Sequence, residues 1–284
     1  MFLDQIHRKR FVIFYFCCFT ISYCWLFFNG LLLSQLKPVF FLNRLDLSLN
    51  LLFLTGIQHA VMNNNSLRLF FDVGYYALPL LLLIACIRNN RLQYLLAAVI
   101  VFFNLVYALL LSSLSMLSVE GFVGWILVPL IFIARSGKGF YYTMHCIRFL
   151  FLLVFFSAGL WKIRGGGIFN IEEMSAILLR QHAPYITELP NDWFTRCVYY
   201  LANHNKLSYA FYFIATVAEL VFVLGFFTKR FDKLLIVAFI LFVVFDFALM
   251  RINYFAWSAF LGCLWFSRYD EPLQWKEQRS AAQR

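Results

Sequence analysis

The sequence predicts an all-α fold, a polytopic helical membrane bundle of about eight transmembrane helices with a short folded extracytoplasmic segment. Of the 284 residues, 63% are hydrophobic and only 13% are charged, and the mean hydropathy is +0.76. Globular chains are about half apolar and about a quarter charged, so this composition excludes a soluble globular enzyme and a disordered chain. The apolar runs are also continuous, whereas the strands of a membrane β-barrel would alternate apolar and polar residues.

Eight apolar runs are predicted to span the bilayer, for which about 20 residues are needed. They are Phe11–Ser34, Leu67–Ile87, Leu92–Ser112, Val119–Ala134, Phe140–Trp161, Lys206–Phe227, Leu234–Met250 and Tyr254–Phe266. The first run follows Arg8-Lys9-Arg10 and is longer than the apolar core of a signal peptide, so an uncleaved helix is predicted. The last run is short, and it either tilts or extends beyond Phe266.

The spans are predicted to form one transmembrane domain over residues 1–268, followed by a polar cytoplasmic tail over 269–284. Residues 35–66 contain LDLSLNLLFLTGIQHA, which is too short and too polar for a further span. We expect this stretch to be interfacial or re-entrant.

The segment 162–205 is predicted to hold two short helices. Asn170 precedes Glu173 by three residues, which resembles a capping box at the start of the first helix. Pro184 and Pro190 are expected to break the chain, and the second helix is expected to follow Asp192.

The charge distribution predicts the orientation. The chain carries 24 Lys and Arg against 14 Asp and Glu, a net charge of +10. In a soluble protein this excess would suggest nucleic acid, but cytoplasmic loops of membrane proteins are rich in Lys and Arg. The short loops RNNR, RSGKG and TKRFDK all fall on one side. We therefore expect both termini in the cytoplasm, a bacterial inner or plasma membrane, the lipid bilayer as a partner, and no nucleic acid.

No metal or redox motif is visible. Six of the seven cysteines lie in apolar runs, where cysteine acts as a small core residue, and there is no CxxC pair. HExxH, P-loop and GxGxxG motifs are also absent from the sequence. No metal site is predicted.

Ionisable residues inside the spans are the candidates for chemistry, because charge in hydrocarbon is costly. Lys162 follows the small residues Ser157-Ala158-Gly159, and a lysine at the mouth of an apolar bundle can act as a base. A lysine that only marks the membrane edge is the commoner case. Glu219 is too deep to reach the head groups easily, and Asp246 is added as a third candidate catalytic residue. Arg251 follows Asp246 by five residues and is a candidate local partner for it.

Four further residues are candidates for binding, namely Asp72, Glu120, Arg251 and His204. Asp72, Glu120 and Arg251 lie near span ends, from which such side chains commonly reach the head groups. His204 lies in the extramembrane segment, where lone histidines are more often ordinary surface residues. Arg148 and His145 are equally compatible with a structural role, pairing with a neighbouring helix.

The stretch from Arg148 to Gly167 resembles the membrane module of the vitamin K-dependent γ-carboxylase family, also called HTTM proteins. The pattern is a span ending in Ala158-Gly159, then Lys162, a long extramembrane segment, the run Ala218–Gly225 with its carboxylate, and Phe245-Asp246. The resemblance is best over 140–268. It implies that Lys162 is a base of the kind that deprotonates vitamin K hydroquinone in the carboxylases. We add the expectation that Glu219 and Asp246 tune or balance its charge.

The sequence departs from the carboxylases in three respects. They have two lysines where this chain has Trp161-Lys162, and a histidine where it has Asp246. The large soluble domain that holds their peptide substrate is also missing, so full carboxylase activity is not expected. The run ELVFVLGFFTKR from Glu219 is similar to the DoxX family, whose members are linked to quinone and redox chemistry.

Two hypotheses about function follow. The first is a membrane protein with an outward-facing polar pocket, in which Lys162 acts on or binds a quinone-like lipid or a peptide. The second is a non-catalytic accessory protein for the maturation or export of a secreted peptide or toxin. A DoxX-like redox-associated membrane protein is a further alternative to the first hypothesis. A transporter is less favoured, because the sequence shows no internal repeat and no pair of interrupted helices.

Overall fold

The computed structural model describes residues 2–37, 47–115 and 119–267, so the predicted tail 269–284 lies outside the described residues. Within those ranges the regular structure is helical, without a strand. The chain divides into two compact units. The first comprises the residues up to Ile147 and those from Tyr254 onward, and the second comprises Arg148–Asn253. The single domain predicted over 1–268 remains a prediction.

Six helical stretches are long and apolar enough to cross a membrane, which confirms the predicted fold class of a multi-pass helical membrane protein. The helices that form them are α1 (Phe2–Phe28), α4 (Asn65–Ile87), α5 (Leu92–Leu114), α8 (Gly137–Arg164), α11 (Asn205–Val221) with α12 (Leu224–Phe227), and α13 (Asp232–Met250). Each matches one of the predicted spans to within several residues, because long apolar runs are the strongest signal in such a sequence.

The other two predicted spans form shorter apolar helices. The fourth run is divided into a 3₁₀ turn and the helices α6 (Val123–Leu127) and α7 (Leu130–Ile133). Pro129, which has no N–H to donate, lies between these two helices. The last run forms a 3₁₀ turn followed by α14 (Ala259–Phe266). Neither run forms a single helix of the length that spans a bilayer.

The stretch that was predicted to be interfacial forms two short helices, α2 (Leu47–Leu54) and α3 (Ile57–Asn63). Gly56 separates them with a φ of +69°, a left-handed conformation that glycine adopts without steric cost. Residues 38–46 of the same stretch are outside the described residues.

Aromatic side chains form the core of the first unit. Phe11, Tyr15 and Phe19 follow one face of α1 at a spacing of four residues, and all three are buried. Tyr15 and Phe19 pack edge-on against Trp125, with ring centroids 5.7 and 5.2 Å away. Such offset contacts suit the ring quadrupoles, so the aromatic residues specify how α1 packs.

The extramembrane segment of the second unit contains the two expected helices, α9 (Glu173–Glu188) and α10 (Trp193–Asn203). Asn170 Nδ2 donates to Glu173 Oε2 at 3.1 Å, and Asp192 caps α10 by accepting from the Phe194 N–H at 3.0 Å. The prediction that Pro184 breaks the chain is wrong, because α9 continues past it. Pro184 is exposed and lies in the second half of α9, where it removes one N–H donor without ending the helix.

The second unit has a hydrophobic core of its own, which joins α9 and α10 to α11 and α13. Its buried members are Met174, Leu178, Ile186, Phe194, Val198, Leu201, Tyr212, Leu249 and Met250. Polar contacts reinforce it, because Ser175 Oγ lies 2.8 Å from Ser208 Oγ and His182 Nε2 lies 2.9 Å from the Leu249 carbonyl oxygen. The segment between the spans is therefore folded onto α11 and α13.

Candidate functional site

Lys162 lies in the last turn of α8, directly after a close contact between α8 and α11. A Cβ on Gly159 would lie 3.0 Å from Leu220 Cδ2 and 3.3 Å from Glu219 Cβ, so only glycine allows this approach without a shift of its neighbours. For Gly159 this confirms the expectation that a small residue before Lys162 allows close helix packing. The close approach brings Lys162, one turn further along α8, within reach of α11.

Lys162 and Glu219 form an ion pair across the two helices. Lys162 Nζ donates to Glu219 Oε1 at 2.8 Å, and the side chains are 26% and 5% exposed. The second oxygen, Glu219 Oε2, is buried and accepts no hydrogen bond from the described residues. A buried carboxylate oxygen without a partner is costly, so this atom marks a place where a donor from outside the chain can bind.

Two further side chains complete the surroundings of the pair. The ring of Tyr212 lies two turns before Glu219 on α11, with its centroid 5.3 Å from Lys162 Nζ, a cation–π distance. Asp246, which is half-buried on α13, interacts electrostatically with both Lys162 and Glu219. The structure therefore brings the three candidate catalytic residues into one region of the second unit. Sequence reasoning missed Tyr212, although its spacing of seven residues from Glu219 places both on one helix face.

An apolar groove of about 570 Å³ lies between α11 and α13. Its walls include Phe211, Ala215, Ala218, Ala238, Phe242 and Phe245. Ala218 and Phe245 line the groove and are the chain neighbours of Glu219 and Asp246, which do not line it. The groove is therefore apolar throughout, as is suited to the apolar part of a ligand.

A second ion pair in the same unit has a different construction. Arg148 Nη2 donates to Asp232 Oδ1 at 2.5 Å and to the Gly225 carbonyl oxygen at 2.9 Å, and Arg148 Nε donates to Asp232 Oδ2 at 3.1 Å. Both side chains are at most 2% exposed. This bidentate pair agrees with the structural alternative for Arg148, pairing with a neighbouring helix. Asp232 was not predicted as this partner, although a buried arginine requires a partner of this kind.

The predicted binding residues Asp72 and Glu120 lie in the first unit. Asp72 is buried, and its oxygens accept from the Leu33 and Ser34 N–H groups at 3.0 and 2.8 Å and from Tyr107 Oη at 2.7 Å. It holds the turn after α1 onto α4 and α5. The Glu120 carbonyl oxygen accepts from Trp257 Nε1 at 2.9 Å. The binding roles of both residues remain predictions.

Arg251 and His204 lie in the second unit, with partners of their own. Arg251 ends α13 in a left-handed conformation, and its guanidinium carbon lies 4.2 Å from the ring centroid of Phe194. Within the described residues it forms no ion pair with Asp246. His204 Nδ1 lies 2.7 Å from the Tyr200 carbonyl oxygen. Neither is placed beside Lys162, and their binding roles also remain predictions.

No group of metal-ligating side chains occurs in the part of the chain that the structure describes. The seven cysteines are free thiols. Comparison with protein-family models gives no match, and searches of curated proteins and of solved structures give no significant match. The residues and their geometry therefore carry the functional argument.

Proposed function

We propose that the second unit binds a hydrophobic, quinone-like lipid and exchanges a proton with its polar head at Lys162 and Glu219. The observation that carries the proposal is the ion pair inside two spans whose Glu219 Oε2 is buried without a hydrogen-bond donor. A hydroxyl group on a quinol head would supply that donor, and the apolar groove between α11 and α13 would hold the tail.

The ion pair supplies a route for the proton. Lys162 Nζ can give a proton to Glu219 Oε1 along their 2.8 Å hydrogen bond, which leaves a neutral amine beside a carboxylic acid. The neutral amine of Lys162 would then be the base that accepts a proton from a bound polar head, and the ammonium group that forms would stay beside that head. Asp246 and the Tyr212 ring stabilise the positive charge on the lysine.

The sequence resemblances support the same assignment. Lys162 and Glu219 lie in the stretches that resemble the HTTM and carboxylase family, whereas Asp246 stands where the carboxylases have a histidine, and the run from Glu219 resembles DoxX proteins. Both resemblances point to quinone chemistry. We further propose a bacterial inner membrane with both termini in the cytoplasm, because the loops RNNR, RSGKG and TKRFDK are basic. Lys162 would then face the extracytoplasmic side.

Native mass spectrometry with lipid extraction tests the proposal. The wild type is compared with Lys162→Ala, Glu219→Gln and the matched control Lys206→Ala, whose lysine is exposed on α11. We expect a quinone to co-purify with the wild type and the control and to be lost from the other two variants. Retention by all four proteins would overturn the proposal, as would a wild type that carries neither a quinone nor a quinol and does not take up an added short-chain menaquinol.

The accessory-protein hypothesis is the second candidate. In its favour, α9 and α10 fold into a core with α11 and α13 and present a structured extramembrane surface. Its test is co-purification of a small secreted peptide encoded beside this protein, from cells that express both. Binding that is unchanged in Lys162→Ala would support this candidate against the quinone site, and failure of the peptide to bind would exclude it.

A further inference from the structure

Helix α10 has one face inside the protein and one face outside. Phe194, Thr195, Val198 and Leu201 are buried in the core of the second unit. The exposed face consists of Trp193, Arg196, Cys197 and Tyr200, which follow one another at helical spacing, with Tyr199 at its edge. The helix is therefore amphipathic in an unusual sense, because its exposed side is rich in aromatic rings.

The exposed rings are large and have polar tips. Trp193 is 70% exposed and Tyr200 is 56% exposed, and Arg196 lies between them on the same face. Tryptophan, tyrosine and arginine are the residues that populate the boundary between hydrocarbon and water, since each combines an apolar body with a polar end. The composition of this face therefore fits a lipid head-group layer.

The exposed side of α9 differs from that of α10, because none of its exposed residues is aromatic. They mix polar and apolar side chains, namely Arg180, Gln181, Thr187 and Glu188 with Ala176, Leu179, Ala183 and Pro184. The two helices belong to the same core and are joined by a short turn, so they share one fold. The aromatic face is thus a property of α10 and not of the whole extramembrane segment.

The chain itself places α10 next to the bilayer. Only His204 separates the end of α10 at Asn203 from the start of the span at Asn205. Two contacts fix His204 onto the end of α10. The His204 N–H donates to the Tyr200 carbonyl oxygen at 3.1 Å, and the His204 and Tyr200 ring centroids are 4.2 Å apart. A helix that ends one residue before a membrane span has that end at the membrane surface.

We propose that α10 lies on the bilayer with Trp193, Arg196 and Tyr200 in the phospholipid head-group layer. Arg196 binds lipid phosphate, Trp193 and Tyr200 place their rings at the edge of the hydrocarbon, and α9 faces water. The occupant of this face is the lipid of the surrounding membrane. The assignment is independent of the quinone site, since it uses none of the residues of that site.

Spin labelling tests the proposal, because Cys197 lies in the middle of the face. The protein is reconstituted into vesicles of phosphatidylethanolamine and phosphatidylglycerol and labelled in a background in which four accessible cysteines are replaced by alanine. Those replacements are Cys17→Ala, Cys18→Ala, Cys24→Ala and Cys146→Ala, and the buried Cys86 and Cys263 are kept. The matched control moves the label to α9, with Cys197→Ser and Thr187→Cys.

Power-saturation measurements then compare collisions with oxygen, which concentrates in lipid, and with a water-soluble nickel chelate. We expect oxygen to dominate at Cys197 and the nickel chelate to dominate at position 187, with Trp193→Ser shifting the Cys197 label toward water. Equal nickel accessibility at the two positions would overturn the proposal. A label at Cys197 that is shielded from both reagents would also overturn it, because a protein partner would then cover the face.

Discussion

The second unit contains two ion pairs that join α8 to later helices, and they differ in how completely they are satisfied. In Arg148–Asp232 both carboxylate oxygens accept hydrogen bonds and both side chains are at most 2% exposed. In Lys162–Glu219 one oxygen accepts a hydrogen bond, the other is buried without a donor, and the lysine is 26% exposed. The Arg148–Asp232 pair has no carboxylate oxygen left for a ligand, whereas the Lys162–Glu219 pair has one. This difference distinguishes a structural pair from a candidate site.

The largest loss of stability is expected from breaking the Arg148–Asp232 pair. Arg148→Met leaves Asp232 buried without its arginine, which we expect to lower the free energy of unfolding by about 3–5 kcal/mol. The double variant Arg148→Met/Asp232→Leu removes both charges and should recover most of that loss. Thermal unfolding in nanodiscs measures both, with the exposed Arg180→Ala as control. A single variant as stable as the double would show that the pair is not structural.

Asp72 extends the comparison to a carboxylate in the first unit whose two oxygens accept hydrogen bonds from three uncharged donors. Asp72→Asn places an NH₂ group against one of its three donors and should cost about 1–3 kcal/mol. Tyr107→Phe removes a single donor and should cost about 1 kcal/mol. The unfolding midpoints of the two variants give the order. A neutral effect of Asp72→Asn, together with altered ligand binding, would restore its predicted binding role.

Lowering the pH should weaken the contact at the end of α13 and leave the contact at its start intact. Arg148 pairs with Asp232 at the start of α13, and the His182 ring hydrogen-bonds to the Leu249 carbonyl oxygen near its end. Burial lowers the pKa of His182 below the usual value. The unfolded chain therefore binds a proton before the folded chain does, and stability is lost as the pH falls from about 6.5 through the lower folded value. His182→Gln should flatten this loss between neutral and mildly acidic pH, and His204→Gln should leave it unchanged. The unfolding midpoint against pH is the measurement.

The smallest change in stability is expected from removing the charge of Glu219 in the Lys162–Glu219 pair. Glu219→Gln keeps an oxygen for Lys162, and a partly exposed ion pair contributes at most about 1 kcal/mol. The same change should abolish ligand retention, because an amide that keeps its oxygen for Lys162 places an NH₂ group where Oε2 would accept the quinol hydroxyl. Unfolding and ligand retention measured on one preparation decide the matter. A variant that loses several kcal/mol and keeps its ligand would place Glu219 beside Asp232 as a structural residue.

The fold class and the helices were predictable because apolar length is a local property of the sequence. Lys162, Glu219 and Asp246 could also be singled out, since each is an ionisable residue in a span. Their pairing could not, because Lys162 and Glu219 are 57 residues apart and no local pattern states which helices touch. Asp232 was overlooked for a related reason: it lies in the basic loop TKRFDK, which reads as an orientation signal.

Gly159 controls how closely α8 and α11 approach each other at the candidate site. A methyl group there would act as a wedge between α8 and α11, because its nearest neighbours would be only 3.0 Å away. Pushing the helices apart would also lengthen the hydrogen bond one turn later, where Lys162 Nζ and Glu219 Oε1 are 2.8 Å apart. The separation of Lys162 and Glu219 therefore depends on the missing side chain at residue 159, and a single methyl group there would change it without replacing either charged residue.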